Sequence, residues 1–79
     1  MSTVCLRKLR VNEKAVIKSV NADGELGRRI RAMGLVPETE IKVVGEAPLK
    51  DPVALRLKGF TITLRNSEAD FIFVEPGKA

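Results

Sequence analysis

The stretch that most constrains the fold of this chain runs from Asp23 to Pro37. No other segment combines the apolar pattern of an α-helix with residues that mark both its start and its end. Its apolar residues recur four and three positions apart, at Leu26, Ile30 and Met33. That spacing predicts a helix over about residues 24 to 33 with one buried stripe. Asp23, or Asn21 before it, can cap the start, and Gly34 stands where a left-handed residue ends a helix.

The rest of the chain has the short alternating runs and turn residues of β-strands. Runs typical of strands cover residues 14–20, 40–46, 53–58, 60–65 and 71–75. The strongest signal is a hairpin with Lys58-Gly59 as a two-residue turn, which pairs Leu57 with Phe60. Residues 66–70 read as a polar turn or single helical turn. Five strands and one helix, inserted after the first strand, predict a mainly β, SH3-like barrel.

The chain of 79 residues is the size of one domain, with residues 1–5 and 76–79 expected to be frayed ends. With three Phe, no Tyr and no Trp, the core must be mainly aliphatic. The predicted structural core is Ile17, Leu26, Ile30, Met33, Gly34, Ile41, Val43, Leu55, Leu57, Ile62, Leu64, Ile72 and Val74.

The composition argues against catalysis and against a metal or cofactor site. Histidine is absent, which removes the commonest general base and the commonest metal ligand. Cys5 is the single cysteine, so it forms no internal disulfide and has no companion at ligand spacing. No apolar run approaches about 18 residues, the length that a membrane span needs. We therefore expect a non-enzymatic, cytoplasmic protein without a cofactor.

Two segments are candidate binding surfaces. Arg28, Arg29 and Arg31 lie away from the apolar stripe of the helix, where guanidinium groups suit carboxylates or phosphates, although a merely solvated helix face would look the same. The segment 47–52 has two prolines and is either a preorganised recognition loop or a stiff connection. The hypothetical partner-binding set is Arg28, Arg29, Arg31, Leu35, Pro48, Leu49, Lys50, Asp51 and Pro52.

The last predicted strand is apolar on both faces, because Phe71 and Phe73 share the face opposite Ile72 and Val74. The two phenylalanines are either covered by the N-terminal segment or the helix, or exposed as a patch for a partner. The exposed alternative allows weak self-association, so the chain is expected to be a monomer or a weakly associating one.

Taken together, these segments resemble the ferrous iron transport protein A (FeoA) family. The matching blocks are Leu6 and Leu9 with Glu13-Lys14-Ala15-Val16-Ile17, Arg29-Ile30 with Met33-Gly34-Leu35-Val36-Pro37, Ala47-Pro48-Leu49-Lys50-Asp51-Pro52, and Leu64-Arg65 with Glu68-Ala69, Ile72 and Val74. They occur in the family's order and cover about residues 6 to 75. The chain departs from the family at Asn12, Glu38 and Lys50, where glycine is usual.

The resemblance implies an SH3-like domain without catalytic activity that regulates a ferrous iron transporter. The implied partner is the cytoplasmic G domain of the FeoB-type GTPase, with contact to the membrane only through that transporter. Two alternatives stay open. A formal net charge of +4 permits a nucleic-acid-binding barrel, although basic residues interleaved with aromatic ones are missing. The same domain also resembles the SH3-like module of metal-dependent transcriptional repressors.

Overall fold

A computed structural model describes residues 3–46 and 52–77 of the chain, without the side chain of Glu46. Six strands and two helices follow one another along the chain. They are β1 (Val4–Cys5), β2 (Lys14–Val20), α1 (Gly24–Ala32), β3 (Glu40–Glu46), β4 (Val53–Leu57), β5 (Phe60–Leu64), α2 (Asn66–Ala69) and β6 (Ile72–Pro76). A single 3-10 turn, Leu6–Lys8, follows β1.

All six strands form one antiparallel sheet in the order β1-β6-β2-β3-β4-β5. The pairing shifts register once in β2 against β6, between Ile17 and Ser19, and once in β3 against β4, between Val43 and Gly45. Such bulges bend strands and increase their twist, which lets a short sheet curl around its own core. The mainly β, SH3-like class predicted from the sequence is confirmed, with α1 as its main helix.

The expectation of frayed ends is wrong for Val4, Cys5 and Pro76, which lie in strands. Val4 and Cys5 form β1, which pairs with Val74 and Phe73 of β6, so the sheet has six strands rather than five and α1 follows the second of them. The last strand extends to Pro76, opposite Ala15. Pairing with β6 orders the N-terminal segment because its backbone groups gain partners in the ladder.

The core lies on the concave face of the sheet and beneath α1. Most residues of the predicted core are buried there, whereas Gly34, Leu26, Met33 and Ile62 are half-buried. The last three pack against the buried core. Leu6, which begins the 3-10 turn, and Leu9, which follows it, are 2% and 3% exposed and belong to the core. Alternation along β3 is clear, since Ile41 and Val43 are each 1% exposed and Lys42 between them faces outward.

Leu35 belongs to this core, so its predicted role as a partner contact is wrong. Gly34 has a φ of +95° and ends α1, as the sequence indicates. The turn sends Leu35 back under the helix, where its N–H donates to the Ile30 carbonyl at 3.4 Å and its side chain is fully buried. Asp23 occupies the N-cap position, but its side chain makes no capping hydrogen bond.

The predicted hairpin has the expected register, with Leu57 opposite Phe60 and Leu55 opposite Ile62. Lys58 and Gly59 form its turn with φ values of +50° and +86°. Positive φ at both turn positions matches the twist of the flanking strands, which is why such turns prefer Asn-Gly. Lysine at the first position therefore adopts a backbone conformation that its side chain disfavours.

We predict that Gly27→Ala destabilises the protein, although alanine ordinarily favours a helix by about 1 kcal/mol over glycine. A Cβ at position 27 would overlap the backbone carbonyl group of Ala22, which cannot move as a side-chain tip can. The expected loss is about 1 to 3 kcal/mol, measured by urea unfolding. Arg28→Ala, at the exposed neighbouring position, is the control and should stay within about 0.5 kcal/mol of the parent. A gain in stability for Gly27→Ala would show that α1 does not lie this close to Ala22.

We also predict that Lys58→Asn stabilises the protein by about 0.5 to 1 kcal/mol, because asparagine tolerates the left-handed conformation better than lysine. Thermal or urea unfolding measures the change. Lys58→Gln is the matched control, since it removes the same charge without favouring positive φ. Equal stabilisation by both variants would assign the gain to charge rather than to the backbone.

Candidate interaction surface

Among the described residues, a groove of about 690 Å³ is lined by residues of β2, β3 and β4, by the turn between β4 and β5 and by the segment 36–39. Its floor is the first half of β3, and its sides are the turn between β4 and β5 and the segment 36–39 that follows α1. It lies at the end of the β3–β4 pair away from Glu46 and Val53. No local pattern predicts this groove, because the turn between β4 and β5 reaches residues 36–42 only through the pairing of β3 with β4.

The segment 36–39 is fixed to β2 by backbone hydrogen bonds. The Glu38 N–H donates to the Ile17 carbonyl at 2.7 Å, and the Ile17 N–H donates to the Thr39 carbonyl at 2.9 Å. Thr39, 6% exposed, also donates its hydroxyl to the Gly34 carbonyl at 3.3 Å. These bonds hold Val36 and Pro37 as a stable apolar side of the groove.

Three basic residues form one row across the groove, which we call the cation row: Lys14, Lys42 and Arg56. Lys14 lies directly opposite Lys42 in the β2–β3 pairing, and Lys42 lies directly opposite Arg56 in the β3–β4 pairing. Opposite residues of antiparallel strands have Cβ atoms about 4.5 to 5.5 Å apart. None of the three side chains has a carboxylate partner among the described residues.

The three arginines predicted as a docking patch differ in what they contact. Arg29 pairs with Glu68 at 3.5 Å, and Arg31 donates to the Ala22 carbonyl at 3.3 Å. Arg28 is exposed and has no side-chain partner among the described residues. Two members of the patch therefore help to hold α1 in place, and Arg28 is the member left for a partner.

Most of the predicted proline loop, Pro48, Leu49, Lys50 and Asp51, lies outside the described residues. Pro52 is described and exposed. The loop's role in binding stays a prediction.

The two phenylalanines of the last strand do not share one environment. Phe73 lies between Cys5 of β1 and Ser19 of β2 in the sheet and is half-buried, whereas Phe71 precedes β6 and is 38% exposed. The Cys5 thiol lies 3.5 Å from the Ala69 carbonyl oxygen, which it can reach as a weak donor. Cys5 thus joins β1 to α2.

Within residues 3–46 and 52–77, no three side chains of the Cys, Asp or Glu types are grouped as metal ligands would be. The described helices are also too short or too polar to cross a membrane.

The model of the FeoA domain family matches residues 4–76, nearly the whole chain. This chain belongs to the FeoA domain family. The resemblance inferred from the four sequence blocks is thereby confirmed, and so is the link to ferrous iron transport that the family carries.

Known relatives agree with this family assignment. A solved FeoA-like protein from Clostridium acetobutylicum is 35% identical, with a TM-score of 0.89 over 100% of this chain and 92% of its own. FeoA from Stenotrophomonas maltophilia, described as an SH3 domain protein, is 29% identical with a TM-score of 0.77 over 95% of this chain and 91% of its own. A Porphyromonas gingivalis fusion of Fe(2+) transport protein A with the Fe(2+) transporter FeoB is 40% identical over 70 residues.

The match to the fusion protein covers 89% of this chain but only 8% of the fusion, so the FeoA-like region is a small part of that protein. The FeoA family is an accessory family of iron transport and is not a known enzyme family.

We predict that Lys42→Gln stabilises the protein at low ionic strength, because it removes both like-charge contacts of the cation row at once. The expected gain is about 0.5 kcal/mol by urea unfolding in roughly 10 mM salt, and it should shrink at about 1 M salt, where the Debye length is near 3 Å. Lys8→Gln, at an exposed position outside the groove, is the control for the loss of one charge. If both variants shift the unfolding midpoint equally, the row carries no local repulsion.

Proposed function

We propose that this chain is a non-enzymatic, cytoplasmic accessory protein of ferrous iron transport that binds the cytoplasmic G domain of a FeoB-type GTPase. The observation that carries this proposal is the fusion of a FeoA relative with FeoB in Porphyromonas gingivalis. Fusion holds two domains at an effective concentration of the order of millimolar. A weak contact suffices under that condition, whereas a separate chain must obtain its affinity from its own surface.

The size of the chain limits how such a contact is made. A standard interface takes about 800 Å² from each partner. The accessible surface of this chain is 4871 Å², so one partner of standard size covers about a sixth of it. Binding should therefore involve a continuous patch of several elements rather than a single side chain.

Arg28 is the best-placed residue of α1 for this contact. It is exposed and has no partner among the described residues, whereas Arg29 and Arg31 already make contacts within the protein. A guanidinium group forms two parallel hydrogen bonds with one carboxylate, which favours both orientation and affinity. Neutralising Arg28 should thus weaken binding without changing the fold.

The test is an NMR titration of the isotopically labelled chain with the purified G domain of the cognate transporter, without nucleotide, with GDP and with a GTP analogue. We expect saturable shifts over one continuous patch that includes Arg28 in at least one nucleotide state. Arg28→Gln should weaken the affinity by about two- to fivefold, as the loss of one exposed ionic contact does. Lys8→Gln also removes one positive charge, but at a position outside α1, and should leave the affinity unchanged.

A second arm uses the intact transporter in lipid nanodiscs. Binding to the nanodisc without binding to the isolated G domain would overturn the choice of the G domain but keep the accessory role. Absence of binding in both arms, in all nucleotide states, would overturn the accessory proposal as well.

A further inference from the structure

The cation row is a charge arrangement that the fold itself does not need. Like charges directly opposite each other in a sheet destabilise it, and here two such pairs share Lys42. The chain has ten acidic residues, and other cations do pair with them, as Arg7 does with Asp70 at 2.8 Å and Lys18 with Glu38 at 3.4 Å. A shortage of carboxylates therefore does not explain the unpaired row.

The groove also offers more than positive charge. Val36 and Pro37 add apolar surface to the groove, and Glu38 and Glu40 also line it. A polyphosphate or a nucleic acid backbone carries a negative charge at every unit, so it places more negative charge beside Glu40 than a chain with spaced charges does. A flat membrane surface does not enter a concave groove. An occupant needs spaced negative charges and apolar groups between them.

A polypeptide with acidic and apolar residues in alternation meets this requirement. Neighbouring strands lie about 4.8 Å apart, so the row from Lys14 to Arg56 spans roughly 10 Å. Carboxylates at alternate positions of an extended chain lie on one face about 7 Å apart, so two of them fit along the row. Such a chain can cross the strands with its acidic residues on the row and its apolar side chains towards Val36 and Pro37.

We propose that this groove docks an extended acidic segment of a protein partner, with Lys14, Lys42 and Arg56 as the carboxylate contacts. Lys58 lines the groove at the hairpin turn and adds a further cation at its end. The proposal goes beyond the G-domain contact through Arg28 and does not depend on it. The two surfaces are tested with different ligands and different variants.

The test uses a capped heptapeptide with glutamate at alternate positions and leucine between, titrated into the labelled chain at about 50 mM salt. We expect shifts centred on the cation row and the segment 36–39, and none with the matched peptide that carries glutamine for glutamate. Lys42→Gln should weaken the affinity about threefold or more, and Lys42→Arg should restore it. Lys8→Gln is the control for net charge.

Glu40→Gln is expected to change the peptide affinity in the direction opposite to Lys42→Gln. Glu40 lies in the groove without an ion-pair partner among the described residues, so neutralising it removes repulsion and should tighten peptide binding about twofold. A role of the row in stability alone predicts no change in peptide affinity for either variant. Raising the salt to about 300 mM should weaken binding of the parent protein, because exposed charges are then screened.

Three results would overturn the proposal. One is equal binding of the glutamate and glutamine peptides. Another is the absence of shifts at Lys14, Lys42 and Arg56 with the acidic peptide. The third is tighter binding of tripolyphosphate, of a single-stranded oligonucleotide or of phosphatidylglycerol vesicles than of the peptide, which would assign the row to a phosphate-bearing ligand.

Discussion

Burial of one face of β2, β3 and β4 is the constraint on which the rest of this structure depends. Ala15, Ile41 and Leu55 are 0%, 1% and 0% exposed, so these strands cannot slip by one residue without turning charged side chains into the core. The register that buries them is also the register that aligns Lys14, Lys42 and Arg56 on the outer face. The cation row is thus held in place by the hydrophobic core.

The same strands also hold the segment 36–39, which forms one side of the groove. Backbone hydrogen bonds join Glu38 and Thr39 to Ile17, so the segment after α1 is carried by β2 rather than by the helix alone. Glu38 adopts a φ of +75° there, a conformation that disfavours its side chain. The two backbone hydrogen bonds to Ile17, from Glu38 and to Thr39, help to offset this strain. Glycine would adopt this φ without cost.

Patterns among neighbouring residues predicted much of the fold. The features that they did not predict depend on pairing between strands far apart in the chain. The stripe of α1 and the register of the β4–β5 hairpin depend on residues close in the chain, and both were predictable. β1 was not, because two residues have no pattern of their own and are ordered only by β6, far along the chain. Leu35 was assigned to the partner-binding set, although the turn at Gly34 carries its side chain into the core. The cation row joins three strands, so no single segment of sequence displays it.

The two cationic surfaces suit contacts of different kinds. Arg28 stands alone on a helix, where one bidentate contact adds orientation to a larger interface. The cation row is a field of several charges in a groove, which raises the rate of encounter and excludes positively charged partners more than it adds affinity. A small domain that meets its partner as a separate chain gains more from fast, selective encounter than from a large apolar interface. A fused relative needs this less, because its partner is already held nearby. The row is therefore expected to matter most where the domain is a separate chain.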